Sequence, residues 1–170
     1  MISLEDKKNI VLSLNDDFVY AGEQSLKLRS KGLIETIKSD NTPVTNGDLE
    51  VNKIITNKIK KLTSEIPIVS EESSLNKENR SLNTFWLIDP IDGTYDYIHN
   101  KDEFTINAAL IIDKKPELGI IYAPAKKRLF YTYGKNMSFE KTKNEEKILN
   151  CKKITKEGVV KAVSYSDNLK

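Results

Sequence analysis

The sequence predicts an α+β fold, two N-terminal helices packed on a largely antiparallel sheet, and three observations carry that reading. Apolar positions Leu4, Val11, Leu14, Phe18, Ala21 and Leu28 recur at three-, four- and seven-residue steps, the signature of one face of a long helix. Val51, Ile54, Ile55, Ile59 and Leu62 repeat the pattern over a second helix. Beyond residue 66 the apolar runs become short and closely spaced, as antiparallel neighbours are.

Taken in order, the first helix spans about residues 4–31, and Gly32 is placed to end it. The second spans about 46–62, with Thr45 as its N-cap. Strands follow at about 67–70, 85–88, 104–113, 117–122 and 128–133, with turns at Lys114-Lys115-Pro116 and Ala123-Pro124-Ala125. The polar stretch 73–83 and the highly charged stretch 135–147 read as surface loops. No internal repeat or low-complexity tract interrupts the chain.

Composition is that of an ordinary folded domain. The 170 residues suffice for one substantial core, and 38% hydrophobic with 31% charged residues lies outside the range of disordered chains. Twenty-seven basic residues against 25 acidic ones give a net charge of +2, which offers no clustered basic face for a nucleic-acid polymer. Lys126-Lys127-Arg128 and Lys152-Lys153 are short and read as solvated surface. No apolar stretch reaches membrane-spanning length, and the start Met1-Ile2-Ser3-Leu4-Glu5-Asp6 has no export signal, so the expected location is the cytoplasm. A single Cys151 cannot form an internal disulfide.

The chemistry concentrates in Trp86-Leu87-Ile88-Asp89-Pro90-Ile91-Asp92-Gly93-Thr94. A buried strand is expected to stop at Asp89-Pro90 and Asp92-Gly93, leaving two carboxylates at its end, while Thr94 opens a helix whose first N–H groups suit an anion. A tight turn with solvated aspartates is the alternative. Two upstream segments add acids: Ile66-Pro67-Ile68-Val69-Ser70-Glu71-Glu72-Ser73, and Thr42-Pro43-Val44-Thr45-Asn46-Gly47-Asp48. Glu71 and Glu72 also read as exposed loop charges, and Asp48, three residues after Thr45, as the acid of a capping box. Mg²⁺ favours such hard oxygen ligands, a few carboxylates completed by water and substrate phosphate. His99 reads as a polar helix-end residue and Cys151 as a small buried side chain, so no protein nucleophile stands out.

Lys38-Ser39-Asp40-Asn41-Thr42-Pro43-Val44-Thr45 with Asp48, then Ser70-Glu71-Glu72-Ser73, then Asp89-Pro90-Ile91-Asp92-Gly93-Thr94, together resemble the signature of the inositol monophosphatase-like superfamily of Mg²⁺-dependent, lithium-sensitive phosphatases. The form of the first motif, with Asp102-Glu103-Phe104-Thr105-Ile106-Asn107 and Tyr122-Ala123-Pro124, is most similar to bacterial 3′(2′),5′-bisphosphate nucleotidases. The resemblance runs from about residue 10 to 166. It implies that Glu71, Asp89 and Asp92 are metal ligands, Asp89 bridging two ions, with the Ile91 carbonyl a further ligand. Asp48 and Thr94 would activate the attacking water, and the Gly93 and Thr94 N–H groups would hold phosphate. Gly93 would be required because a side chain there would obstruct the phosphate, and Glu72 would stand behind the ligands. The completed family site would hold two or more Mg²⁺ ions, and the substrate would be a small phosphate monoester, 3′-phosphoadenosine 5′-phosphate from sulfur metabolism.

The resemblance also implies that residues 1–170 are the N-terminal α+β layer of an αβαβα sandwich, without the C-terminal α/β half and its Trp-Asp motif. Ala162-Val163-Ser164-Tyr165-Ser166 resembles the strand leading into that half. An uncovered layer is expected to self-associate and to turn over slowly. Two departures stand out: Gly47 replaces a small or polar non-glycine residue and is expected to loosen the first turn that carries Asp48, and Tyr95-Asp96-Tyr97 replaces Lys-Glu-Phe. An inositol or sugar phosphatase, and a non-catalytic metal-binding or association module, are the competing readings.

Overall fold

The computed structural model describes residues 2–39, 41–73 and 81–150. Helix α1 (Leu4–Lys31) is opened by Ser3 and Asp6, whose side chains cap each other's backbone N–H, and closed by Gly32 at φ 95°. Val11, Leu14, Phe18 and Ala21 form its buried stripe, as the periodicity predicts. Leu4, expected on the same face, is 53% exposed because it lies in the first turn, out at the sheet's rim.

Strands β1 (Glu35–Ile37) and β2 (Pro43–Thr45) form a small antiparallel hairpin that leads directly into α2 (Asn46–Leu62). The sequence reading lacks this hairpin because β1 is exposed throughout and three-residue strands carry no readable alternation. Within α2, Val51, Ile55 and Ile59 are buried against the sheet, whereas Leu62, at the last turn, is 36% exposed.

Among the described residues the main sheet runs in chain order: β3 (Ile68–Ser70), β4 (Phe85–Asp92), β5 (Thr105–Ile112), β6 (Lys115–Ala123), β7 (Arg128–Thr132), β8 (Ser138–Lys141) and β9 (Glu146–Ile148). The β3–β4 pair is parallel and every later pair antiparallel. The α+β expectation therefore holds.

Four local expectations need correction. β4 does not stop at Ile88; it continues to Asp92 through a register shift between Asp89 and Asp92, where Pro90 has no N–H for the ladder. The β5–β6 turn is Asp113-Lys114, both at positive φ, and Lys115-Pro116 already belong to β6. Pro124–Lys126 is a single 3-10 turn. The charged stretch 135–147 contains β8 and the start of β9, because Phe139, Glu140 and Lys141 pair with β7 on one side and with β9 on the other although most of their neighbours are polar. The expected loop 73–83 lies largely outside the described residues, as do Cys151, Lys152-Lys153 and 162–166.

Alternation along the strands sends Trp86, Ile88, Ile106, Leu110, Leu118, Ile120, Leu129 and Tyr131 toward the helices, where they form the core with Phe18, Val51 and Ile55. Trp86 Nε1 donates to Thr63 Oγ1 at 3.0 Å, satisfying the one polar atom of the largest core side chain. The opposite face carries Leu87 and Ile121, 48% and 45% exposed. No helix among the described residues is long and apolar enough to cross a membrane.

Candidate active site

The parallel register of β3 on β4 pairs Ser70 with Ile88, and the Glu71 N–H donates to the Ile88 carbonyl at 3.1 Å. Continuing both strands by one residue sets Glu71 beside Asp89, close enough for its carboxylate to raise the Asp89 pKa. Across the antiparallel ladder Asp89 faces Asn107, whose Nδ2 donates to Asp92 Oδ2 at 3.1 Å. The bulge at Pro90-Ile91 keeps Asp92 near Asp89 despite their three-residue separation. Asp89 is the electrostatic centre. Burial, then the charges of Glu71 and Asp92, push its carboxyl up to about 7, and its Oδ1 is buried without a hydrogen-bond partner.

A cation already reaches this cluster. Lys38, which follows β1, extends Nζ to Glu72 at 2.9 Å and Glu71 at 3.2 Å. Burial opposes its charge, but the bonds to the two glutamates outweigh that and raise its pKa. Glu72 thus binds Lys38. The lysine is the site residue that sequence reasoning left without a role; its signal was its place at the head of the first motif.

Asp48 is the acid of the capping box, and its second oxygen faces Thr94. Its Oδ2 accepts from the Thr45 N–H at 2.8 Å and from Thr45 Oγ1 at 2.6 Å, completing a capping box. Its Oδ1 faces Thr94, whose Oγ1 lies 3.5 Å away. Thr94 Oγ1 is closer to the Ile91 carbonyl, at 3.0 Å, so the hydroxyl proton rests on Ile91 and the contact with Asp48 is marginal. Burial is the largest effect on Asp48 and raises its pKa against the lowering bonds from Thr45.

Thr94 opens α3 (Thr94–Ile98), a helix of five residues with Gly93 as a left-handed N-cap and no side-chain cap. Gly93 has φ 94°, and a Cβ there would stand 2.8 Å from the Glu103 carbonyl oxygen. The chain's own backbone therefore demands glycine here, independently of the phosphate clearance expected. His99 caps the end of α3, its Nδ1 2.8 Å from the Tyr95 carbonyl, as its helix-end reading anticipates. The expected loosening at Gly47 is not seen: its N–H donates to Thr45 Oγ1 at 3.1 Å and the first turn of α2 is fully formed.

The donor set is hard: carboxylates, a backbone carbonyl and a hydroxyl. The orphaned Asp89 Oδ1 gives a divalent cation a ready ligand, so the residues fit Mg²⁺ in kind. As the side chains stand, no three His, Cys, Asp or Glu among the described residues close a metal cage. Glu71 is turned toward Lys38 and Asp92 toward Asn107.

The helix pair on a mostly antiparallel sheet that carries these acids is shared with solved structures of the inositol monophosphatase fold. Residues 17–170 match the model of the inositol monophosphatase family, and the chain belongs to that family. It is 39% identical to 3′(2′),5′-bisphosphate nucleotidase CysQ of Buchnera aphidicola over 137 residues, 79% of this chain and 50% of that protein. The chain spans about half the length of the curated relatives it matches. The crystal structure of CysQ from Bacteroides thetaiotaomicron, a bacterial member of the family, is similar at 28% identity and TM-score 0.59, covering 90% of this chain and 53% of that one. An IMPase/NADP phosphatase complexed with Mg²⁺ and phosphate shares the fold at 21% identity and TM-score 0.66, covering 81% and 51%.

Proposed function

We propose that this chain is the N-terminal α+β portion of a Mg²⁺-dependent phosphomonoesterase, a 3′(2′),5′-bisphosphate nucleotidase acting on 3′-phosphoadenosine 5′-phosphate. The observation that carries the proposal is Asp89, one oxygen buried and unpartnered, flanked by Glu71 and Asp92, with Thr94 at the head of the next helix and its hydroxyl 3.5 Å from Asp48 Oδ1. Similarity to the CysQ nucleotidases supports the substrate class. Glu71, Asp89, Asp92 and the Ile91 carbonyl would hold the metal. When bound, Mg²⁺ lowers the pKa of a water and neutralises charge on the attacking and leaving oxygens.

The protein's own part is proton handling and orientation. Thr94 Oγ1 turns from the Ile91 carbonyl to Asp48 Oδ1 and accepts the proton of the attacking water as it passes its own to the carboxylate. Thr45 keeps Asp48 Oδ2 engaged, so only Oδ1 is available for that transfer. The Gly93 and Thr94 N–H groups, uncapped by any side chain, orient the phosphate. The test is kcat/KM for 3′-phosphoadenosine 5′-phosphate against inositol 1-phosphate at saturating Mg²⁺, in the protein expressed to the natural end of its reading frame. The proposal expects the bisphosphate to be preferred at least tenfold; preference for inositol 1-phosphate transfers the chain to the sugar-phosphate reading. The second reading, a non-catalytic metal-binding or association module, is favoured by the unclosed carboxylates, and it expects no Mg²⁺-dependent phosphate release.

A further inference from the structure

Gly47 and Tyr97, fifty residues apart in the chain, touch each other. A Cβ on Gly47 would overlap the Tyr97 hydroxyl and stand 2.8 Å from Cε1 and Cζ of its ring. Tyr97 is fully buried, and its hydroxyl donates to the Ser25 carbonyl of α1 at 2.7 Å. Its ring tilts against Phe104 with centroids 4.9 Å apart. Arg29 at the end of α1 covers both rings, 5.9 Å from Tyr97 and 5.2 Å from Phe104, while it pairs with Asp102 at 3.2 Å. One side chain of α3 is thus wedged between α1 and the first turn of α2.

Both ends of the wedge lead to the site. Gly47 directly precedes Asp48 and donates to the same Thr45 hydroxyl that holds Asp48 Oδ2. Tyr97 lies three residues after Thr94 on the same five-residue helix, and its N–H donates to the Gly93 carbonyl at 2.9 Å. Glycine early in a helix costs more backbone entropy than alanine. Here the missing side chain is the space the tyrosine fills, and the packed ring takes back the freedom glycine would otherwise give.

We propose that Gly47 and Tyr97 are a coupled pair of positioning residues that set the approach of the Asp48 carboxylate to the Thr94 hydroxyl. Neither touches substrate. The catalytic consequence rests on the hydrolase reading above; the geometric one does not. The test is a double-mutant cycle of Gly47→Ala, Tyr97→Phe and the double variant, read two ways. In the 170-residue protein, amide NMR shifts of Asp48 and Thr94 report the geometry. In the protein expressed to the natural end of its reading frame, kcat and KM for 3′-phosphoadenosine 5′-phosphate report the chemistry.

Gly47→Ala is expected to move both amides and to lower kcat at least tenfold with KM within twofold. Tyr97→Phe alone lowers kcat less than threefold. The double variant, with the hydroxyl gone but Cε1 and Cζ still 2.8 Å from the new Cβ, recovers part of the kcat lost in Gly47→Ala and moves the amides part of the way back. Additive effects, or Gly47→Ala with unmoved amides and unchanged kcat, overturn the proposal. If the parent protein hydrolyses nothing, the hydrolase reading fails and the amide shifts alone decide the pair. If Gly47→Ala does not fold, Gly47→Ala with Tyr97→Leu, which removes the ring atoms in contact, decides the coupling: folding supports it and failure to fold overturns it.

Discussion

Asp89 carries the largest electrostatic strain of the site. Burial beside Glu71 and Asp92 holds its proton with a pKa of about 7, against about 4 for an ordinary aspartate. The metal-free folded state thus binds this proton more tightly than the unfolded chain. The stability it contributes is full below about pH 4 and is lost as pH rises through 7. Asp89→Asn removes the titration, so the variant and the parent should melt together near pH 4, with the variant higher by a few degrees at pH 8. Thermal unfolding across that range without divalent metal checks this, and an equal difference at both pH values would contradict it. Lys38 acts with the opposite sign. It neutralises Glu71 and Glu72 in the metal-free protein and so competes with any ion that needs Glu71. Lys38→Met should tighten Mg²⁺ binding several-fold in a calorimetric titration; weaker binding would mean that the lysine helps to build the site.

At the scale of elements, the start of α2 and the start of α3 carry the two halves of the proposed proton path. Thr45→Ala removes the cap and frees Asp48 Oδ2, and is expected to lower unfolding free energy by about 1 kcal/mol. Gly93→Ala meets both a left-handed φ and the Glu103 carbonyl, so it should cost more than Thr45→Ala, at least ~2 kcal/mol. Denaturant unfolding orders the two, and the reverse order would show that the Gly93 turn relaxes freely. The same elements show what a sequence reveals. Both helices were readable because a seventeen- or twenty-eight-residue stripe of Val11, Phe18, Val51 and Ile55 repeats often enough to be seen. The acids were readable because turn residues flank them. The β1–β2 hairpin and β8–β9 were not, since strands of three or four residues, β1 and β9 exposed throughout, show no alternation and owe their form to a neighbour's unpaired backbone. The packing of Tyr97 on Gly47 was invisible for a related reason: fifty residues separate two positions that only the fold brings together.

At the scale of the molecule, the sheet has one face covered by α1 and α2 and another on which Leu87 and Ile121 are about half exposed. Apolar surface of that kind favours association. The 170-residue protein is expected to self-associate in light scattering, and Leu87→Lys with Ile121→Lys to reduce it; a monodisperse parent would remove this expectation. The account as a whole turns on whether Glu71, Asp89 and Asp92 form a divalent-metal site, and titration of the protein with Mg²⁺ and Mn²⁺ by calorimetry tests it most directly. One weak site that Asp89→Asn abolishes is the predicted result; binding by Asp89→Asn equal to the parent would return Asp89-Pro90-Ile91-Asp92-Gly93 to a bulged strand end with no ion to hold.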